Sequence, residues 1–232
     1  MRQRKAKDLE KRLRECSAYM TDGPGQGGRD YFSRGTADGG YHRDLFVEIG
    51  CGKGQFIISK AASHPEADFI AIEGQETVIL RALEKAREYD SADPAGSMSG
   101  ASHGRLTNLK FMLTFVHTMD ELFDEGQLSG IYLNFSDPWP KARHAKRRLT
   151  HRERLKDYAW ALKKGGFIEM KTDNDDLYDF TLREIAAAGY EIVEQTRDLH
   201  SSSFESRLTT TEYEDKFSSR GKNINYVKVL VE

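Results

Sequence analysis

The sequence predicts an α/β fold in which a mostly parallel, seven-stranded sheet carries helices on both faces. From Leu45 onward, short apolar runs of strand length alternate with longer amphipathic runs of helix length, and glycines stand at several of the turns between them. Regular alternation of this kind is typical of a parallel sheet, because the crossover helices cover both of its faces.

Each element is predicted from its local pattern. The strands are short and rich in apolar or aromatic residues, and they are expected at 45–49, 68–72, 109–116, 131–135, 167–171, 190–196 and 224–231. The helices show apolar residues at helical spacing, and they are expected at 53–63, 76–89, 150–162 and 177–188. Gly165 and Gly166 are expected to close the third of these helices, and Gly189 to cap the fourth in a left-handed conformation.

The chain divides by composition into a basic N-terminal arm with a glycine-rich linker, residues 1–44, and one domain, residues 45–232. Residues 2–15 are strongly basic, which is compatible with a short helix, a mobile arm or a solvated tail. Residues 21–40 are glycine-rich and predict a linker, and the small, polar residues 91–104 predict an exposed loop.

Bulk composition limits the class of protein and its partners. The 232 residues carry a net charge of only −2, so a polyanionic partner has to be met by a local patch. Two cysteines, Cys16 and Cys51, supply neither a disulfide framework nor a zinc site, and we predict no metal. We find no apolar run long enough to span a bilayer and no signal peptide, so we expect a cytoplasmic protein without membrane contact.

The turn after the first strand predicts a binding site for a cofactor. Gly50 and Gly52 begin a G-x-G-x-G pattern, and Gln55 stands where the dinucleotide-binding pattern requires glycine or alanine. Glu48, two residues before the first glycine, would repel a diphosphate and attract a cationic amino-acid group. Glu73 ends the second strand, where an acid grips ribose hydroxyls. S-adenosylmethionine fits these requirements; a tight turn with surface acids is the alternative.

The fourth predicted strand ends abruptly at Pro138 and Pro140, which lack the N–H that a strand needs. Asp137 precedes this break and is held extended by the proline that follows it. Trp139 and Lys141 complete the segment, so a carboxylate, an indole and an ammonium meet at a strand tip. In open α/β sheets this edge binds ligands.

A basic segment follows the strand tip directly. Its members are Arg143, His144, Lys146, Arg147 and Arg148. Such side chains make the phosphate contacts of nucleic-acid complexes, whereas a solvated helix start is the alternative. Because the segment adjoins the predicted site, we favour RNA binding. Trp139 stacks on a base or packs beneath the loop, and the sequence leaves both open.

Taken together, these motifs resemble the bacterial tRNA (guanine-N7-)-methyltransferase family from about Leu45 to the C-terminus. The matching segments are Glu48–Gly54, Asn134–Lys141, Arg143–Arg148, Lys171–Asn174 and Thr211–Glu214. The resemblance implies a Rossmann-like methyltransferase fold and transfer of a methyl group from S-adenosylmethionine to N7 of guanine 46 in the tRNA variable loop. It also implies a monomer or homodimer with tRNA as partner.

The resemblance also implies roles for individual residues. Cofactor contacts are expected from Glu48, Gly50, Gly52, Glu73, Phe115 and Asp137. Substrate contacts are expected from Lys141, Asp173, Thr211, Glu212, Tyr213 and Glu214. Phe115 departs from the family, which usually has an acid or amide at this strand tip, so its contact would be by stacking, by backbone or through a neighbour. Thr211 and Glu214 also match a helix capping box, which is compatible with substrate contact.

Guanine N7 is an unprotonated lone pair, so methylation needs alignment more than a general base. Positive charge appears on the purine, and a carboxylate nearby stabilises it. Asp137 is the expected catalytic residue and Asp173 the second candidate; a turn-forming aspartate before proline is the alternative for Asp137. Lys141 is expected to hold a phosphate. Two other functions compete: methylation of a small molecule or protein, and RNA binding without catalysis.

Overall fold

The computed structural model describes residues 7–21, 43–92, 105–218 and 221–231, and its strands form one seven-stranded sheet in the order β3-β2-β1-β4-β5-β7-β6. The strands are β1 Leu45–Ile49, β2 Asp68–Glu73, β3 Leu109–Leu113, β4 Leu128–Asn134, β5 Leu162–Thr172, β6 Glu191–Thr196 and β7 Asn225–Leu230. Strand β7 runs antiparallel to both of its neighbours, and the other pairs are parallel. The predicted fold class is therefore confirmed.

Helices lie on both faces of the sheet. They are α1 Leu9–Glu15, α2 Gln55–Ser63, α3 Glu76–Ser91, α4 Arg152–Ala161, α5 Asp175–Ala188 and α6 Glu212–Ser218. Apolar side chains of α2 and α3 form one core with Phe69 and Phe111 of the sheet. Those of α4 and α5 form a second core with Val47 and Leu133. Burial of each such side chain contributes roughly 1.5–3 kcal/mol, so these two cores hold the helices to the sheet.

Most helices and strands lie where they were predicted, and two of the differences in their boundaries occur at glycines. The helix expected from residue 53 begins at Gln55, because Gly54 caps it with a φ of 79°. Gly54 also allows close packing, since an added Cβ would lie 2.8 Å from Ala82 Cβ. Gly165, with a φ of 75°, lies within β5 and does not close α4, so that prediction was wrong. Gly189, with a φ of 81°, caps α5 as predicted.

The basic N-terminal stretch folds onto the domain where the structure describes it. Helix α1 packs against α3, and Arg12 Nε donates to Glu84 Oε1 at 2.8 Å. Tyr19 donates to Asp90 at 2.7 Å, and Met20 pairs with Phe111 at the sheet edge. From Leu9 onward this stretch is therefore a packed helix and turn.

Three predictions fall wholly or largely outside the described residues: the first part of the arm, the glycine-rich linker at 21–40 and the loop at 91–104. Among the helices that the structure describes, none combines the length and apolar character needed to cross a membrane.

Candidate active site

The glycine-rich loop between β1 and α2 is held against β2 by its own backbone. Gly50 and Cys51 both donate their N–H to the carbonyl of Ile72, at 2.8 and 3.0 Å. Gly50 and Gly52 have φ values of 78° and 57°, which favour glycine. A Cβ added at either position would meet no described atom within 4 Å. The space over the loop is therefore open, and a ligand can approach its backbone closely.

Glu73 at the tip of β2 holds the loop from the other side. Its Oε2 accepts from Gly52 N at 3.2 Å, and its Oε1 accepts from Gln75 N at 3.0 Å. The side chain is only partly buried, and burial is the main cause that raises its pKa. Glu73 thus shapes the loop and leaves part of its carboxylate accessible to a hydroxyl donor.

Glu48 lies beneath the same loop and is 1% exposed. Its Oε1 accepts from Asn134 Nδ2 at 2.8 Å. Its Oε2 and Asn134 Oδ1 are buried and have no hydrogen-bond partner within the described ranges. Burial raises the pKa of Glu48 to about 8. Unpaired buried acceptors are costly, so this pair suits a ligand that brings a charged N–H donor, such as the ammonium group of S-adenosylmethionine.

Phe115 is placed beside this region by a glycine that sequence reasoning missed. Phe115 is 64% exposed, and its ring lies against Gly74, the residue after Glu73. A Cβ on Gly74 would stand 2.2 Å from Phe115 Cε1, so only glycine permits the contact. The ring presents an open aromatic face close to the acid expected to bind ribose. This arrangement fits stacking on a planar base.

The tip of β4 turns in an unusual backbone conformation. Phe135 and Trp139 have φ values of 49° and 40°, which cost non-glycine residues about 1–3 kcal/mol each. Phe135 N donates to Lys171 O at 2.9 Å, so the turn is tied to β5. The turn thus ends the strand before the prolines are reached. Asp137 and Lys141 are exposed, and their side chains form no hydrogen bond or ion pair with the described residues.

The basic segment divides into one structural arginine and several exposed cations. Arg148 donates to the carbonyls of Pro138 and Trp139 at 3.0 and 3.1 Å, and its guanidinium lies 4.2 Å from the ring centre of Phe180. Arg148 therefore braces the loop that carries Asp137.

Arg143, Lys146 and Arg147 are exposed, and Lys146 forms a surface ion pair with Glu153. The guanidinium of Arg147 lies 5.0 Å from the ring centre of Trp139, and His144 meets the same ring edge-on. Trp139 thus packs between two members of the segment. The exposed cations follow the loop directly in sequence, and solvent reaches all three.

The segment around α6 reaches the site from the C-terminal side. Thr211 Oγ1 accepts from Glu214 N at 2.9 Å, which is the cap that the sequence predicts. Glu212 forms an ion pair with Lys85, and the ring of Tyr213 lies 4.9 Å from that of Phe135. The segment therefore spans the cofactor side and the β4 tip. Asp173, at the end of β5, pairs with Lys222 at 2.7 Å.

Lys171 and Glu214 stand apart from the other residues of the site because both are completely buried, at 0% exposure. Lys171 Nζ donates to the carbonyls of Ser206 and Thr209, each at 2.7 Å, and lies 3.4 Å from Glu214 Oε2. Sequence reasoning did not assign a role to Lys171. Its signals in the sequence were a charged residue at the end of an apolar strand and its place in the matching segment Lys171–Asn174.

Comparisons with known proteins identify the family of the chain. A family model described as "Putative methyltransferase" matches residues 42–227. Proteins named "tRNA (guanine-N(7)-)-methyltransferase" are similar to the chain: that of Brevibacillus brevis is 42% identical over 82% of this chain and 81% of the relative. That of Lactococcus lactis subsp. cremoris is 38% identical over 97% and 95%.

Solved structures are similar in fold. The 16S rRNA methyltransferase KamB has a TM-score of 0.56 and 13% identity, and covers 82% of this chain and 88% of its own. An antibiotic-related methyltransferase has a TM-score of 0.54 and 16% identity, with coverage of 81% and 86%.

Proposed function

Since this chain belongs to the tRNA (guanine-N(7)-)-methyltransferase family, we propose that it transfers a methyl group from S-adenosylmethionine to N7 of guanine 46 in the variable loop of tRNA. One observation carries the proposal. Among the residues that the structure describes, one side-chain oxygen of Glu48 is buried without a hydrogen-bond partner next to the open glycine-rich loop, and a basic segment follows the neighbouring strand tip.

The cofactor would be held by residues at or just after the ends of four strands, β1 to β4. Glu48 and Asn134 supply acceptors for its ammonium, and Glu73 supplies an acceptor for its ribose. Phe115 supplies the stacking face for its adenine. When bound, S-adenosylmethionine supplies an electrophilic methyl group on a positively charged sulfur.

The protein's part in the transfer is alignment and charge stabilisation. Guanine N7 has a lone pair and no proton to remove, so the site has to hold N7 in line with the methyl group. Asp137, exposed three residues after the end of β4, is the residue we assign to the positive charge that appears on the purine. Asp173 is the second candidate.

The RNA would bind across the exposed cations next to this tip. Lys141, Arg143, Lys146 and Arg147 are assigned to phosphates, with His144 beside them. Thr211, Glu212 and Tyr213 are assigned to the nucleotide that enters the site. We place the activity in the domain 45–232 of a cytoplasmic monomer or homodimer.

Bulk tRNA that lacks 7-methylguanosine tests the proposal when it is incubated with the protein and labelled S-adenosylmethionine and then digested to nucleosides. We expect the label in 7-methylguanosine. Label in another nucleoside, or label only in a small molecule or protein, would replace the proposed substrate. Failure to bind the cofactor at all would favour RNA binding without catalysis.

A further inference from the structure

Lys171 is a lysine in an unusual place, since its ammonium is fully enclosed between β5 and the segment that follows β6. A buried charge is costly unless it is paired and hydrogen-bonded. Lys171 meets this requirement with three acceptors: Ser206 O, Thr209 O and Glu214 Oε2. Its ammonium also lies 5.3 Å from the ring centre of Phe56 on α2.

All three acceptors belong to one segment of the chain, residues 206–214. This segment also carries Thr211, which is partly buried, and Tyr213, which is exposed and contacts Phe135 at the β4 tip. One ammonium therefore holds the segment at three points from the inside. The ring of Phe135, tilted against that of Tyr213, contacts the segment from the side of β4.

Glu214 is enclosed as completely as Lys171. Its Oε2 faces the ammonium, and its Oε1 lies 3.3 Å from His200 Nε2. Its backbone N–H is bound by Thr211. To contact RNA, the Glu214 carboxylate would have to separate from Lys171. The lysine would then be a buried charge without a counter-ion, which is energetically costly.

We propose that Lys171 is a positioning residue that seats the segment 206–214, and that Glu214 is its buried counter-ion and makes no contact with the tRNA. This inference rests on the proposed function, because the seated segment presents Thr211 and Tyr213 to the RNA. It divides the motif Thr211–Glu214 into three residues that face the substrate and one that faces inward.

A double-mutant cycle separates the two roles of Glu214. The variants are Lys171→Met, Glu214→Gln and the double variant, and kcat/KM is measured for tRNA. If Glu214 is the counter-ion, each single substitution leaves the other residue as a buried charge without a partner. We therefore expect each single variant to lose about 10-fold or more in kcat/KM. The double variant has two neutral side chains and no unpaired charge. Its kcat/KM should therefore be about 10-fold higher than the value obtained by multiplying the two single effects. A kcat/KM of the double variant equal to the value obtained by multiplying the single effects would overturn the proposal.

Two controls accompany the cycle. Lys163→Met makes the same substitution on the same strand, at an exposed lysine paired with Asp44, and should leave kcat/KM within about 2-fold. Cofactor affinity, measured without RNA, should stay within about 3-fold in Glu214→Gln and in the Lys163→Met control, because neither residue lies in the glycine-rich loop.

Hydrogen exchange of the protein without cofactor or RNA gives a second test. It uses Glu214→Gln alone, so it can be carried out even if Lys171→Met does not fold. In Glu214→Gln we expect faster exchange across 206–214, a higher KM for tRNA, and kcat within about 3-fold at saturating substrates. Unchanged exchange together with a lower kcat would instead make Glu214 a substrate contact. The exchange measurement does not depend on methyl transfer, so it can be interpreted even if the wild-type protein makes no 7-methylguanosine. Failure of the proposed function is thereby distinguishable from failure of this inference.

Discussion

The Glu48 carboxyl is buried under the glycine-rich loop, and burial raises its pKa to about 8. The amide of Asn134 and the charge of Lys171 lower this pKa, but less than burial raises it. In an unfolded chain a glutamate titrates near about 4.3. Between these two values the folded, cofactor-free protein binds more protons than the unfolded chain. Its stability therefore declines as pH rises through this window.

Cofactor binding at pH 6.5 should therefore release close to one proton from Glu48, because an ammonium ligand favours the ionised carboxylate. Affinity should rise with pH toward 8 for the same reason. Titration calorimetry in two buffers of different ionisation enthalpy measures the proton release. Glu48→Gln should abolish the release and weaken binding by about 1–3 kcal/mol. Equal enthalpies in the two buffers for the wild-type protein would contradict the prediction.

Asp137 differs from Glu48 because it is exposed and makes no side-chain bond with the described residues. Asp137→Asn retains size and turn preference but removes the charge. If the carboxylate stabilises the charged purine, single-turnover methyl transfer at saturating substrates should fall by about 10²–10³. A rate within a few-fold of wild type would move the role to Asp173.

Arg147 and Arg148 are adjacent in sequence but should behave differently. Arg147→Ala should lower the slope of log affinity for tRNA on log salt by about 0.7–0.9, and leave the melting temperature unchanged. Arg148→Ala removes the brace on Pro138 and Trp139 and should cost about 1–3 kcal/mol, or about 2–4 °C in melting temperature for each kcal/mol. Filter binding across a salt series and thermal unfolding measure the two effects, and identical behaviour of both variants would refute the distinction.

At the scale of elements, α4 and α5 are joined by one well-formed ion pair. Glu184 on α5 is 7% exposed and accepts from Arg152 N, Nε and Nη2, each at 2.8 Å. These bonds lower the pKa of Glu184 to about 2, against the cost of burial. A lowered folded-state pKa stabilises the protein above the unfolded value, and the contribution is lost as pH falls toward 2.

Glu184→Gln should therefore destabilise the protein by up to about 3 kcal/mol at pH 7 and by about 1 kcal/mol at pH 3. Urea unfolding at both pH values measures the difference. Glu153→Gln, on α4 in the exposed pair with Lys146, is the matched control and should change stability by less than about 1 kcal/mol. A Glu184→Gln effect that is the same at both pH values would show that the pair does not titrate as inferred.

Element boundaries show where local pattern fails. The fourth strand was expected to run through residue 135 and to end at prolines, but it ends at Asn134 because Phe135 takes a left-handed turn. No local preference predicts that turn; its hydrogen bond to Lys171 on β5 holds it. Strand β5 likewise starts at Leu162, before Gly165, because its pairing with β4 and β7 extends it.

For the whole molecule, alternation of strands and helices was enough to predict the sheet, because buried parallel strands and amphipathic crossovers leave strong periodic signals. The cofactor side of the site was also predictable, since glycines and acids stand at fixed offsets from strand ends. Lys171 and Gly74 were not, because their roles depend on contacts with residues 206–214 and Phe115, which only the tertiary fold supplies.

At the scale of the whole molecule, the net charge and the local charge beside the β4 tip differ in sign. The net charge of −2 gives the molecule no general attraction for RNA, so binding has to come from the exposed cations beside the β4 tip. Affinity for tRNA should consequently be lost through few substitutions, while the cofactor site continues to function.

The central claim is tested most directly by mapping the methyl group on a single unmodified tRNA after reaction with the wild-type protein and S-adenosylmethionine. Chain cleavage specific for 7-methylguanosine should occur at guanine 46, and the same tRNA with adenine at that position should be neither methylated nor cleaved. Cleavage at another guanine, or methylation that survives the replacement, would contradict the account.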